Sequence, residues 1–305
     1  IASGGNNNTV VGDEAGTAIT TGDNNTALGK SSFETNTTGG NNTALGFQTL
    51  QVNTTASENT AIGHNTLSAN TTGAGNLGAG YQVLSKNTTA DYNTGLGYDA
   101  LNKNTTGTQN VSVGAFSLDA NTTGNYNTAV GKSSLGANTT GSHNTAVGQS
   151  ALSTTTTVAQ NTAVGRHALL DNTTGGFNVS LGDSSLANNT TASNNVAIGF
   201  EAALTNTTGT SNSATGFRSL RQNTTGGSNT ANGYEALYHN TTADYNTGLG
   251  FQALYNNTTA DSNVAVGFKS LFTNTTGAAN TALGESALRA NTTAANNTAV
   301  GFSAL

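Results

Sequence analysis

Few side chains in this 305-residue chain could carry acid–base or metal chemistry. General acids and bases are most often histidines or carboxylates, and the four histidines are His64, His143, His167 and His239. They occupy four different positions of a 17-residue repeat, so stacked repeats do not bring them together. The sequence has no cysteine, which excludes disulfides and thiolate metal sites. We therefore predict no catalytic residue, no metal ligand and no cofactor.

Carboxylates offer no better case for an enzyme. Asp23, Asp91, Asp244 and Asp261 share one position of the repeat but are scattered along the chain. A glycine-rich calcium repeat would place aspartate in every coil, with a nonapeptide period. The sequence also lacks a nucleophile elbow, a phosphate-binding loop and a metal-spaced histidine pair. These patterns predict a protein that is not an enzyme.

The tripeptide Asn-Thr-Thr recurs along the chain and matches the acceptor pattern for N-glycosylation. One interpretation is a column of glycans on an extracellular protein, and the other is a ladder of amides bonded from coil to coil. The ladder is favoured because both threonines persist where the asparagine is lost, as in Thr155-Thr156-Thr157. Coils about 4.8 Å apart also leave little room for a sugar on each one. The candidate glycosylation sites are Asn36, Asn53, Asn70, Asn87, Asn104, Asn121, Asn138, Asn172, Asn189, Asn206, Asn223, Asn240, Asn257, Asn274 and Asn291.

Aromatic side chains that directly follow a recurring glycine form a candidate binding stripe. Its members are Phe200, Phe217, Tyr234, Phe251, Phe268 and Phe302. Nearer the N-terminus the same position holds charged residues such as Lys30 and Arg166, which places this column near the surface. The stripe either binds glycans or a partner, or its rings pack between coils or chains. Packing is favoured because aromatic side chains so often pack on one another.

Threonine columns also suggest ice binding. A flat ice-matching face needs two columns on the same side of a strand, as in Thr-x-Thr. The threonines here are consecutive, so their side chains would point to opposite faces of an extended chain. Ice binding is therefore kept only as an alternative.

All of these residues are positioned by an internal repeat without insertions or deletions. The glycine that ends Asn-Thr-Ala-Val-Gly, here the repeat glycine, recurs eighteen times from Gly12 to Gly301 in steps of 17. Asparagine stands four residues before it in all eighteen copies, and leucine stands four residues after it in fifteen. A strict period favours one stacked ladder, because an inserted residue would move every later side chain out of its column. We predict one array of about 18 coils over residues 1–305.

Each coil is predicted to be one turn of an all-β parallel solenoid, or β-roll. Asn-Thr-Ala-Val-Gly alternates with the period of a strand, and Thr-Thr suits a second extended piece. Phe251, Ala253 and Leu254 follow a spacing nearer to a helical turn, so one short helical turn per coil stays open. The absence of proline fits a ladder that needs every strand N–H. The asparagine before each strand is interpreted as structural, because asparagine tolerates left-handed turns.

Composition narrows the class of protein. Asparagine and threonine fill 102 of 305 positions, charged residues make up 8%, and the net charge is −6. An ordinary enzyme core uses more varied apolar and ionisable residues, whereas recurring valine and leucine argue against a disordered tail. Nine lysines plus arginines argue against nucleic acid as a partner. The sequence shows no signal peptide, membrane span or lipidation motif.

The strand pattern also predicts a partner. Alanine and glycine share one face of the strand, and valine, leucine and isoleucine share the other. If one column fills the interior, the other forms an apolar stripe outside, which soluble monomers seldom expose. We therefore expect association with identical chains, as a trimer or a filament. Both chain ends fall within a repeat and no polar capping coil is present, which suggests a segment of a longer protein.

The repeated phrase resembles a known family. Asn-Thr-Ala-Val-Gly at 127–131, 144–148, 161–165 and 297–301 is similar to the head repeats of trimeric autotransporter adhesins. Asn195-Val196-Ala197-Ile198-Gly199 is closer still to their Asn-Ser-Val-Ala-Ile-Gly signature. The resemblance implies a left-handed parallel β-roll of three identical chains on a bacterial surface, although the coil here is longer than that family's head repeat. Asn-Thr-Thr with Ala-Leu also looks like repeat tracts in bacterial surface proteins and phage tail-fibre-like proteins.

These observations predict a structural and adhesive role. We expect the rod-like shaft of an extracellular fibre or cell-surface adhesin, which associates with itself and holds binding surfaces for glycans or host and matrix ligands away from a cell. The first alternative is a phage tail-fibre shaft on a virion. The second is a glycan-coated or ice-binding extracellular filament.

Overall fold

The computed structural model describes residues 5–305, which contain eighteen β-strands and no helix. The chain divides into two compact units. The first runs to Ser150 and adds Thr155–Thr157, and the second comprises Ala151–Thr154 and Val158–Leu305. The prediction of an all-β parallel solenoid is confirmed within each unit.

Each unit contributes nine short strands, one per coil. In the first unit they are β1 (Thr9–Val11), β2 (Thr26–Leu28), β3 (Thr43–Leu45), β4 (Thr60–His64), β5 (Leu77–Tyr81), β6 (Thr94–Leu96), β7 (Val111–Val113), β8 (Thr128–Val130) and β9 (Thr145–Val147). In the second they are β10 (Thr162–Val164), β11 (Val179–Leu181), β12 (Val196–Ile198), β13 (Ser213–Thr215), β14 (Thr230–Asn232), β15 (Thr247–Leu249), β16 (Val264–Val266), β17 (Thr281–Leu283) and β18 (Thr298–Val300).

Strands pair in parallel with the next coil of the same unit, residue against equivalent residue. In the first unit Thr43 lies opposite Thr60 and Leu45 opposite Ile62. In the second, β16 pairs with β17 in the same way. Within each unit, side chains therefore lie above their counterparts 17 positions along, which accounts for a repeat without insertions.

The interior of a coil is small, and its apolar part consists of alanine and leucine. The middle strand residue points inward and is buried, as at Ala44 and Ala61, and the leucine four residues after the repeat glycine is buried, as at Leu50. The residue before the repeat glycine points outward, and Leu28 is 46% exposed. The alternation thus places alanine inside and the larger aliphatic residues outside, because the strand lies close against the rest of its own coil.

One predicted feature of the coil is wrong, and the helical turn that the sequence left open is not found in residues 5–305. Each coil has one strand rather than two, because the Thr-Thr pair is bent: the N–H groups of Thr37 and Thr38 both donate to the carbonyl of Thr54, at 2.9 and 3.3 Å. The segment after the repeat glycine is a series of turns and not a helical turn. Arg218 and Leu220 have φ of 53° and 52°, values that a right-handed helix excludes.

Candidate functional site

The asparagines of Asn-Thr-Thr, here the second asparagine column, lie inside the coil. From Asn36 to Asn274 they are fully buried. Nδ2 of Asn223 donates to Oδ1 of Asn206 at 2.7 Å and to the carbonyl of Gly226 at 2.8 Å, and Oδ1 of Asn223 accepts from Asn240 at 2.8 Å. A glycan on Nδ2 would displace one of these hydrogens and occupy the coil interior. The geometry therefore matches the amide ladder and gives the glycan interpretation no support.

The asparagine before each strand, here the first asparagine column, forms another ladder. The N–H of Asn59 donates to Oδ1 of Asn42 at 2.9 Å, and Nδ2 of Asn59 donates to the carbonyl of Gly73 at 2.9 Å. The left-handed residue is the one just before it, Glu58, with φ of 64°. Our structural interpretation of this column stands, but the reason is bonding between coils rather than turn conformation.

The predicted binding stripe is a surface row of stacked rings. From Phe200 to Phe268, five consecutive rings have centroids 5.0–5.5 Å apart and planes within 15° of parallel. Phe302 is separated from them by Glu285 at the same position. Stacking covers the faces of the inner rings, so this row exposes mainly ring edges. The packing interpretation accounts for that arrangement.

Sequence reasoning missed a matching row in the first unit. Phe47, His64, Tyr81 and Tyr98 stack with centroids 5.0–5.1 Å apart. The signal was available, because all four directly follow a repeat glycine. The row was not recognised because charged residues occupy the same repeat position in other coils.

Charged side chains accompany the rings of the second unit. Arg218 and Arg221 donate to Glu201 at 2.8 and 2.7 Å, while Lys269 lies 5.3 Å from the ring centroid of Phe268. Burial alone would raise the pKa of Glu201, but the hydrogen bonds from Arg221 and Arg218 lower it below the usual value. These cations are engaged with a carboxylate or with aromatic rings.

Three of the four histidines pack against aromatic rings. His143 stacks on Tyr126 at 4.9 Å, and His239 packs edge-on against Tyr238 and Tyr255 at 4.7 and 4.9 Å. Across residues 5–305, no three histidines, aspartates or glutamates lie close enough to hold a metal ion. The aspartates that share one position instead accept a backbone N–H from the preceding coil, as Asp261 does from Asp244 at 2.8 Å.

One of these aspartates lies in a polar groove that sequence reasoning did not identify. The groove, here the Asp–Tyr groove, has a volume of 260 Å³ and is lined by Thr208, Thr210, Thr225, Gly227, Ser228, Asp244 and Tyr245. Oδ1 of Asp244 accepts from the N–H of Gly227 at 2.6 Å. Tyr245 is 65% exposed, and its ring stacks on no other ring of the described chain.

The first unit repeats the elements of this groove. Residues 87–97 and 240–250 have the same sequence, Asn-Thr-Thr-Ala-Asp-Tyr-Asn-Thr-Gly-Leu-Gly. Asp91 accepts from the N–H of Ala74 at 2.7 Å, and Tyr92 is 62% exposed. This exact duplication of eleven residues was the sequence signal for the site.

A row of exposed threonines borders the groove. The second threonine of each Thr-Thr pair, from Thr21 to Thr293, is exposed in all seventeen copies, and within residues 5–305 none of their hydroxyls forms a hydrogen bond. The first threonine differs, because its hydroxyl donates to the next coil, as from Thr224 to the carbonyl of Thr241 at 2.9 Å. The pair therefore presents one row of free hydroxyls rather than two.

The outward strand residues form a further surface, here the strand row. These are the residues just before the repeat glycine, and exposed members include Leu181 and Ile198 in the second unit. Thr215 and Asn232 are its polar members. Each unit thus exposes a repeated aliphatic row beside its aromatic row.

Comparison with protein-family models and with curated proteins finds no match to this chain. Among the described residues, no helix has the length and apolar character needed to cross a membrane.

Proposed function

We propose that this chain is a structural, adhesive segment of an extracellular fibre displayed on a cell surface, and that it acts without catalysis. The observation that carries the proposal is how the polar groups of a coil are used. Strand amides and both asparagine columns bond to neighbouring coils, while the strand row and the aromatic rows face outward. Such a coil builds a regular surface and assembles no reactive centre.

The exposed aliphatic surface supports association with further copies of the same chain. Contiguous exposed apolar patches mark interaction sites. A partner with the same coil spacing matches every member of the strand row, whereas a globular partner matches only a few coils. A trimer is the favoured state, in line with the resemblance to trimeric autotransporter adhesin heads.

Light scattering on the native protein tests self-association. A trimer of 30.4-kDa chains has a polypeptide mass of about 91 kDa. The variant Leu181→Thr/Ile198→Thr introduces the residue that Thr215 provides naturally in the same row, so the coil itself is preserved. We expect this variant to weaken association, whereas Asn188→Ala, at an exposed position outside the row, leaves it unchanged. A 30.4-kDa wild-type monomer at micromolar concentration contradicts the self-association proposal.

The location is tested on the source material. Antibodies against the chain should label intact cells, and protease added outside should remove the label. Label confined to purified virions indicates the alternative, a tail-fibre shaft with the same physical construction. Label found only after lysis contradicts both.

A further inference from the structure

We propose that the Asp–Tyr groove of the second unit, and the equivalent surface at Asp91 and Tyr92 in the first unit, each bind a neutral glycan. In the second unit a sugar ring would lie against Tyr245, hydrogen-bonded to Asp244 and to neighbouring threonine hydroxyls. In the first unit Tyr92 and Asp91 take these roles. The inference deepens the adhesive part of the proposed function and rests on it.

The groups in the groove match the chemistry of a sugar. A sugar ring offers hydroxyl donors and a face of C–H groups, which suit an acceptor-only carboxylate and an aromatic ring. Oδ1 of Asp244 accepts from Gly227 at 2.6 Å, so this carboxylate is fixed in place. Oδ2 has no hydrogen bond within the described residues and is available to a ligand. The volume of 260 Å³ lies just below the range of pockets that enclose drug-sized ligands, which suits one ring of an extended chain.

The threonine row provides an independent argument. Among the described residues, it is the only exposed side-chain column that keeps one residue in all seventeen copies. The first threonine of each pair is also constant, but its hydroxyl donates a hydrogen bond to the next coil, which explains why it is kept. Within residues 5–305 the hydroxyls of this row form no hydrogen bond, so the constancy of threonine there points to a ligand outside the chain. Thr208 and Thr225 bring two of these free hydroxyls into the groove of the second unit.

Ring exposure and charge select the ligand class. In the stripe from Phe200 to Phe268, neighbouring rings cover each other's faces. Tyr245 and Tyr92 stack on no ring of the described chain. No lysine or arginine lines the groove, and Asp244 is its charged residue. A sulfated or carboxylated glycan would therefore meet a negative charge without a compensating cation, which favours a neutral one.

The experiment measures binding of the 305-residue chain to soluble hexasaccharides of glucose (α- and β-linked), mannose and N-acetylglucosamine, with a heparin hexasaccharide as the anionic comparison. Saturation-transfer NMR detects contact, and calorimetry gives affinity and stoichiometry. We expect at least one neutral hexasaccharide to bind at two sites per chain, with no binding of the heparin fragment.

Two substitutions use residues that the chain itself has at the same positions of other coils. The double variant Asp91→Asn/Asp244→Asn follows Asn125, whose Oδ1 accepts the equivalent backbone N–H at 2.7 Å. The double variant Tyr92→Asn/Tyr245→Asn follows Asn194, which has a left-handed φ of 62°. Each double variant should fold and lose roughly tenfold or more in affinity, and Tyr245→Asn alone should halve the number of sites. A tenfold loss corresponds to 1.4 kcal/mol.

Phe177→Asn is the matched control. Phe177 occupies the position of Tyr245 and is 59% exposed, but Gly176 precedes it instead of aspartate. Its removal should leave binding unchanged. The inference is overturned if no neutral hexasaccharide binds, if the heparin fragment binds more tightly, if folded double variants bind like wild type, or if Phe177→Asn weakens binding equally. Any of these results leaves the fibre proposal to its own tests of mass and surface labelling.

Discussion

The repeat glycine meets two demands that other residues do not. Gly250 has φ of 133°, and a Cβ there would lie 2.6 Å from the carbonyl oxygen of Gly267 in the next coil. Gly301 has nearly the same φ, 125°, but no described atom lies within 4 Å of its added Cβ. The two positions therefore separate backbone strain from close approach between coils.

We expect Gly250→Ala to destabilise the second unit by about 2–4 kcal/mol, combining left-handed strain with forced separation of two coils. Gly301→Ala should cost only the strain, about 1 kcal/mol. Thermal unfolding followed by circular dichroism makes the comparison. Equal losses in the two variants would show that close approach between coils is not what selects glycine.

His239 should make the second unit sensitive to pH. Burial lowers the pKa of His239 below its ordinary 6.5, although the charge of Glu235 opposes this. The folded state thus prefers the neutral imidazole, so stability is lost as the pH falls below 6.5 towards the folded-state pKa. His239→Gln copies Gln222, its counterpart in the preceding coil.

The measurement is the difference in unfolding temperature between wild type and His239→Gln at about pH 7.5 and about pH 5. We expect acidification to lower the unfolding temperature of the wild type more than that of the variant. Equal losses would mean that protonating His239 costs the folded state nothing.

At the scale of the element, the second asparagine column holds the coils together. In Asn223→Ala, Oδ1 of Asn206 and the carbonyl of Gly226 lose the N–H donor of Asn223, and Nδ2 of Asn240 loses its acceptor; all of these groups lie inside the coil. Each buried polar group left unpaired costs about 1–3 kcal/mol, so we expect a loss of at least about 2 kcal/mol. Asn188→Ala is the control, because Asn188 is exposed and should change stability by less than about 0.5 kcal/mol. Denaturant unfolding measures both, and a tolerated Asn223→Ala would exclude the ladder as a main source of stability.

The elements show how far sequence reasoning reaches. Strands such as Thr162–Val164 follow from alternation, and the ladder follows from threonines that persist without their asparagine. The second strand was wrong because β-branched residues suit both strands and bends, and only hydrogen bonding reveals that Thr37 and Thr38 share one acceptor. The Asp–Tyr groove was missed because its lining comes from three successive coils, so no single motif contains it.

At the scale of the whole molecule, the repeat length is the quantity that matters most. Deleting residues 209–225 removes one complete coil of the second unit and joins Thr208 to Gly226, which keeps every later side chain in its column. Deleting residues 209–224 shifts all later columns by one. We expect the first variant to retain its circular dichroism spectrum per residue and to unfold cooperatively, while the second loses order after the junction. Equal behaviour of the two would contradict a column-by-column ladder.

The left-handed residues of each coil have a consequence for how the protein forms. In one coil Arg218, Leu220 and Ser228 all have φ between 52° and 55°, each unfavourable by about 1–2 kcal/mol outside the folded context. A single folded coil has no neighbour whose hydrogen bonds offset this backbone strain, so the first folded coils form rarely. Later coils then fold quickly against the edge of the coils already formed. Refolding should therefore be slow and follow a single exponential, because forming the first coils limits the rate; added folded protein that offers open coil edges should speed it.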